Sequence, residues 1–298
     1  MTTPATNAEA MKVTPASAAT QPAARTATGS SARREYASVY DAQLPRDTTA
    51  LVAAIQQLVS TTGASVGVTL VELNGTEPIT WALDGSTVFT AASTYKLAAL
   101  MMEAQGIAAG STDPSGLVCY QPDDYEEGWF DDYSPGECFT RYDLAWRAGI
   151  YSDNTAGHML VRDVGGAAAL NAWAASIGAS NSSFFVGNTT TSDDLAALWV
   201  AESAGLLGGT AAQAWLYPLL TNTSYEAGIP AGVGPGTEVV HKIGALDQVD
   251  DDAALVVVDP DEEYILTVMT DGPGGDAGWQ LIASISAAVW QFESSRPS

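Results

Sequence analysis

A serine and a lysine three residues apart, Ser93 and Lys96, stand in Ala92-Ser93-Thr94-Tyr95-Lys96-Leu97 at the start of an apolar helical pattern. On a helix this spacing puts a hydroxyl and an amine on one face. A lysine shielded from water loses its proton readily, and a neutral amine beside a serine can take the hydroxyl proton and make a nucleophile. N–H groups at the helix start could then meet a developing oxyanion. The ordinary alternative is an N-capping serine followed by a solvated lysine, and Ser-x-x-Lys alone does not separate the two. Lysine is scarce, however, with only Lys12, Lys96 and Lys242 in 298 residues. Ser152-Asp153-Asn154 follows 59 residues after Ser93, and His241-Lys242-Ile243-Gly244-Ala245 places Lys242 another 90 residues on. Both lysines beyond the tail thus fall in these three groups, in an order hard to reach by accident.

The elements that must position these residues are legible from hydrophobic periodicity. Asp47 can cap a helix through Leu51, Ile55 and Val59 that Gly63 stops. Ser65 to Leu73 and Ile79 to Leu83, joined at Asn74-Gly75, predict a β-hairpin. A helical block follows: Ser93 to Gln105, Thr140 to Tyr151, Thr155 to Ile177, Ser192 to Gly205 and Thr210 to Leu220. Strands are then expected at Thr237 to Ile243, Ala253 to Val258 and Tyr264 to Met269, with a turn at Asp259-Pro260-Asp261 and a last helix from Asp276 to Phe292. This order is not the βαβ alternation of a parallel sheet. It predicts an α+β fold: a five-stranded antiparallel sheet packed by the terminal helices, with an all-helical subdomain inserted at about 92–236. A cleft between the two lobes is the natural place for a site.

With Ser93-x-x-Lys96, Ser152-Asp153-Asn154 and Lys242-Ile243-Gly244 in this order, the sequence resembles the penicillin-recognising serine enzymes, specifically the class A β-lactamase family, over roughly residues 47 to 292. Gly165-Gly166 and Gly228-Ile229-Pro230-Ala231-Gly232 support the likeness. The resemblance implies a β-lactamase/transpeptidase-like fold and amide cleavage through an acyl-enzyme. It implies Ser93 as nucleophile and Lys96 as its base, with Ser152 passing a proton to the departing nitrogen. Asn154, Lys242 and Gly244 would then bind substrate, with Lys242 as a charged group near a substrate carboxylate. The oxyanion hole would be the backbone N–H groups of Ser93 and Ala245. No metal or cofactor is implied. The substrate class would be a β-lactam or a cell-wall peptide.

Two departures bear on activity. Class A enzymes carry a deacylating glutamate on a loop before the third motif, whereas here no acid occurs from Ile177 to Ser192. Asp193 and Asp194 are expected to cap the next helix. Lys96, or an acid from the segment Asp123 to Asp132 that the resemblance places near the cleft mouth, would have to substitute. Ile243 stands where the family usually has a hydroxyl and cannot hydrogen-bond a carboxylate. His241 is expected to be a strand-edge spectator and His158 a structural residue of an apolar helix. A penicillin-binding peptidase, an acylatable sensor without turnover and, more remotely, a glutaminase-like amidase are the competing readings.

Composition limits the alternatives. A formal charge of −24 excludes a nucleic-acid partner bound through phosphates. No apolar run is long enough to cross a bilayer. Residues 1–35, rich in Ala, Thr and Pro, are expected to be a disordered tail without the pattern of a signal peptide, ahead of one domain at 36–298. Cys119 and Cys138, 19 residues apart, are expected to be a disulfide and not two buried thiols. A bridge would contribute roughly 3 kcal/mol and imply an extracellular or cell-envelope protein. A monomer is expected.

Overall fold

The computed structural model describes residues 46–75, 78–259 and 262–296. The expected tail at 1–35 and the turn residues 260–261 lie outside them. Helix α1 (Thr49–Thr62) begins where Asp47 accepts the Thr49 N–H at 2.9 Å. It ends at Gly63, whose left-handed φ of 70° lets its N–H close on the Val59 carbonyl. Strands β1 (Ser65–Glu72) and β2 (Thr80–Leu83) form the expected hairpin, and a short β3 (Phe89–Thr90) leads into a 3₁₀ turn at Ala92–Thr94 and helix α2 (Tyr95–Ala108). Next come β4 (Leu117–Cys119), β5 (Cys138–Thr140), α3 (Arg141–Ile150), α4 (Asn154–Asp163) and α5 (Gly166–Ser176). They are followed by β6 (Thr189–Thr190), α6 (Ser192–Ser203), α7 (Gly209–Leu216) and the single turn α8 (Ile229–Gly232). The chain closes with β7 (Glu238–Leu246), β8 (Val249–Asp259), β9 (Glu262–Asp271) and α9 (Gly275–Glu293).

The main sheet has order β2-β1-β9-β8-β7, antiparallel throughout. This is the α+β architecture predicted from the pattern of elements. Two cores flank the sheet. Leu51, Ile55, Val68, Leu70, Ile282 and Ile285 fill the layer under the terminal helices, and Leu97, Leu100, Met101, Leu144, Leu160 and Trp199 fill the helical side. Each such side chain contributes about 1.5–3 kcal/mol by leaving water. Among the described residues, no helix is long and apolar enough to cross a membrane.

The single helix expected over Thr155 to Ile177 is two. Gly165 and Gly166 both take positive φ, 102° and 82°, which breaks the hydrogen-bond ladder and redirects the chain. Strand β8 starts earlier than its apolar run, because Asp250, Asp251 and Asp252 are ladder residues and not a turn. All three are buried, and Thr270 supports the first two: its N–H donates to Asp251 Oδ1 at 3.1 Å and its hydroxyl to the Asp250 carbonyl at 2.7 Å. Cys119 and Cys138 face one another in the β4–β5 pair and form a disulfide. The bridge closes the base of an acidic, aromatic loop that reaches back to the helical lobe.

Candidate active site

Ser93 occupies the 3₁₀ turn just before α2, not the helix itself, and no side-chain cap is formed there. Ala92 holds a left-handed φ of 42°, a conformation that costs energy in a non-glycine residue and persists only where surroundings enforce it. Asn188 is one such constraint: its carbonyl accepts the Ala91 N–H and its Nδ2 donates to the Ala92 carbonyl, both at 2.8 Å. On the other side β7 presses against the turn. A Cβ at Gly244 would lie 2.9 Å from the Ala91 carbonyl, so glycine is required for that approach.

Strand β7 is the edge of the sheet. His241 N–H points out of that edge and is taken by the Leu220 carbonyl at 2.8 Å. By the two-residue period of a strand, Ala245 N–H points out of the same edge, beside the Ser93 turn. Gly244 thus packs against the turn that carries Ser93, with Ala245 the next residue of the strand.

Lys96 is completely buried, its Nζ 2.9 Å from Ser93 Oγ. The amine also donates to the Ser152 carbonyl at 2.6 Å and to Asn154 Oδ1 at 2.7 Å. Burial lowers its pKa to about 7 against the partial opposition of the Asp153 and Glu126 carboxylates, so a neutral amine is accessible near neutral pH. Lys242 reaches the same centre from β7, donating to Ser152 Oγ and to the Ile243 carbonyl, both at 2.8 Å. It too is buried, and desolvation together with the neighbouring Lys96 pushes its pKa well below the usual lysine value. Burial thus works against the expected charge on Lys242, since two ammonium groups cannot share this dry space without cost.

Ser152 stands at the join of α3 and α4 with a left-handed φ of 57°, which aims its hydroxyl at both lysines. Asp153 caps α4 through the Ala156 N–H at 2.9 Å. The same carboxylate accepts from Trp129 N–H at 2.9 Å and from Tyr133 Oη at 2.7 Å, which ties the Cys119–Cys138 loop to the motif. Asn154 Nδ2 donates to the Glu127 carbonyl at 2.8 Å. Five predicted site side chains thus form one hydrogen-bonded cluster: Ser93, Lys96, Ser152, Asn154 and Lys242.

Several expectations are corrected here. The helix α6 is capped by Thr191, whose Oγ1 accepts the Asp194 N–H at 3.0 Å. Asp194 instead clasps the short loop through Asn181 N–H and Ser182 Oγ, each at 2.7 Å, and Asp193 accepts from Thr69 Oγ1 at 2.7 Å. His241 is no edge spectator. It is fully buried, with Nδ1 2.9 Å from Asp252 Oδ1 and Nε2 3.2 Å from Glu226 Oε1. Burial acts to lower its pKa, but the two carboxylates overcome that and raise it to about 9. Ile243 packs with the core under the terminal helices and offers the cleft only its carbonyl. Asn188 and Asp153 were missed as contributors because their contacts join segments far apart in sequence. A signal for Asp153 existed in its position before an apolar helix.

Comparison with known proteins identifies the family and the fold. A family model described as the β-lactamase enzyme family matches residues 50–292. The structure of PBP-A is 28% identical, with a TM-score of 0.76, covering 85% of this chain and 100% of that one. A β-lactamase from Sphaerobacter thermophilus is 26% identical with a TM-score of 0.73, over 85% of this chain and 100% of its own. A PBP-A variant in an acyl-enzyme complex with penicillin G is 27% identical with a TM-score of 0.76, over 85% of this chain and 100% of that one. No curated protein matches the chain. With its fold, its serine-lysine cleft and a match across most of its length, the chain belongs to the β-lactamase enzyme family.

Proposed function

We propose that this chain is an active-site-serine hydrolase that opens a β-lactam or a related amide through an acyl-enzyme on Ser93. The observation that carries the reading is the 2.9 Å contact between Lys96 Nζ and Ser93 Oγ, made by a fully buried amine. Neutral Lys96 takes the Ser93 proton as Oγ attacks the amide carbonyl carbon. The oxyanion is held by the N–H groups of Ser93 and Ala245. As the C–N bond breaks, Ser152 Oγ gives its proton to the departing nitrogen and is resupplied along the chain of Lys96 and Lys242 amines that meet it. Asn154, pinned by the Glu127 carbonyl, and Gly244 flank the bound substrate. Water then attacks the ester carbonyl carbon; as the C–Oγ bond breaks, one water proton passes to Ser93 Oγ and the acyl group leaves as the acid.

A second reading, a penicillin-binding peptidase or a sensor that stays acylated, is favoured by one observation. The loop from Ile177 to Ser192 carries no carboxylate, and Phe185 and Asn188 occupy it at the site. The disulfide suits an extracellular or cell-envelope location. Intact-mass measurement during exposure to penicillin G tests the proposal. A Ser93-dependent adduct is expected, transient for a hydrolase and lasting for a peptidase or sensor. Equal labelling of wild type and Ser93→Ala would remove Ser93 from the reaction.

A further inference from the structure

The amine of Lys96 has neighbours beyond those its role as base requires. Glu126 belongs to the loop closed by the disulfide, and its backbone is fixed to the first turn of α4. Its N–H donates to Thr155 Oγ1 at 3.1 Å, and that hydroxyl donates to its carbonyl at 2.8 Å. Its Oε2 then stands 2.8 Å from His158 Nε2. His158 follows Asn154 by one helical turn, so it shares the face from which Asn154 meets Lys96. Gly157 beside it lies so near the lysine that a Cβ there would fall 2.6 Å from Lys96 Cε. The imidazole is held edge-on by Phe185 at 4.8 Å, and Phe185 in turn packs edge-on against Tyr95 at 5.6 Å, next to Lys96. Phe185 of the shortened loop thus holds the imidazole of a carboxylate-imidazole pair on the helix that meets the amine.

A carboxylate oxygen and a ring nitrogen at this distance make a hydrogen bond only if a proton lies between them. The Asp124 carbonyl is a second acceptor for the ring, which favours the imidazolium, while burial and Lys96 oppose it and lower the His158 pKa. The other charges facing Lys96 are differently placed. Asp153 is fully buried and committed to four donors. Lys242 is buried and shares Ser152 with it. Glu126 is half exposed, and its carboxylate meets His158 at the surface end of the site.

We propose that Glu126, held by its hydrogen bond with His158, sets the protonation of Lys96, and with it the pH at which Ser93 is acylated. Both are positioning residues that work through the amine, and the functional half of the inference rests on the reading of Lys96 as the base for Ser93. Acylation needs the neutral amine. Removing the Glu126 charge disfavours the ammonium, so the amine stays neutral to lower pH and the acid limb of acylation moves down.

The test uses the full chain with lysines labelled at Cε with carbon-13. The sequence has three lysines, and Lys12→Arg and Lys242→Arg assign the signals. In wild type the Lys96 titration should show two inflections, because coupled groups titrate as a pair. His158→Gln keeps a donor but cannot take up charge, and should remove the inflection that belongs to the ring. Glu126→Gln should move the midpoint down by about 0.3–0.7 pH unit, the size expected of a part-exposed charge. The acid limb of acylation should follow by the same amount. An unmoved Lys96 midpoint in Glu126→Gln overturns the inference, as does a moved midpoint with an unmoved acylation limb. A moved midpoint in a protein that no donor acylates would instead overturn the proposed function.

Discussion

Lys242 Nζ donates to Ser152 Oγ at 2.8 Å, which makes the strand lysine a partner of the serine between α3 and α4. Lys96 reaches the same hydroxyl at 3.4 Å. Ser152 thus links two amines that burial favours in their neutral forms. Proton transfer to the departing nitrogen then depends on one hydroxyl, which Lys96 can resupply once it has taken the Ser93 proton. Ser152→Ala should lower the acylation rate by ~10²–10⁴-fold, the usual worth of general acid-base assistance. Lys242→Ala should slow carboxylate-bearing and uncharged donors to a similar degree, because its contact is with Ser152. Rates of adduct formation by intact mass for paired donors check both. A loss confined to carboxylate-bearing donors would assign Lys242 to anion binding instead.

How much of this was legible in the sequence follows from the range of the interactions. Ser93, Lys96, Ser152, Asn154 and Lys242 could be found because their chemistry fixes residue types at short spacings and the order of three groups does the rest. The sheet was legible from its apolar runs, except where Asp250 to Asp252 put carboxylates into a buried ladder that composition reads as a turn. Asn188 bracing Ala92, and Glu126 meeting His158, were not legible. Each joins residues that neither periodicity nor a motif brings together. His241 was misjudged for the same reason, since its two carboxylates come from a neighbouring strand and a distant loop.

Deacylation is expected to limit turnover. The side chains the short loop brings to the site are Phe185, against Tyr95 and His158, and Asn188, on the Ala92 carbonyl, and neither is a base for water. A missing general base typically costs ~10²–10⁴-fold. A stopped-flow trace with a chromogenic β-lactam should show a burst of about one equivalent and then a slow steady state, since each serine is acylated once before the slow step. Fast linear hydrolysis without a burst would mean that another group activates water.

The disulfide should matter to the site as well as to the fold. Between Cys119 and Cys138 lie Glu127, whose carbonyl pins Asn154, and Trp129 and Phe130, whose N–H groups hold Asp153. Replacing both cysteines by alanine should cost about 2–4 kcal/mol, read from urea unfolding. It should also slow acylation, because the loop that braces Ser152-Asp153-Asn154 gains freedom. Lower stability with an unchanged acylation rate would confine the bridge to the fold.

His241 predicts how stability changes with pH. Burial alone would lower its pKa, but Asp252 and Glu226 raise it to about 9, above the 6.5 of an ordinary imidazole. The protonated ring is therefore favoured in the folded state. Its contribution is complete below about pH 6.5 and is lost as pH rises through about 9. Lys96 acts in the opposite sense over part of this range, since an amine lowered to about 7 makes folding more favourable as pH rises from there. The two effects separate in a difference measurement. The gap in urea midpoint between wild type and His241→Gln should be widest below pH 6.5 and should close toward pH 9. Asp252, left with the Ile229 N–H at 2.8 Å, then faces the same loss of its counter-charge in both proteins. A gap that stays constant with pH would mean that His241 is neutral in the folded chain and that its carboxylate contacts do not hold a proton.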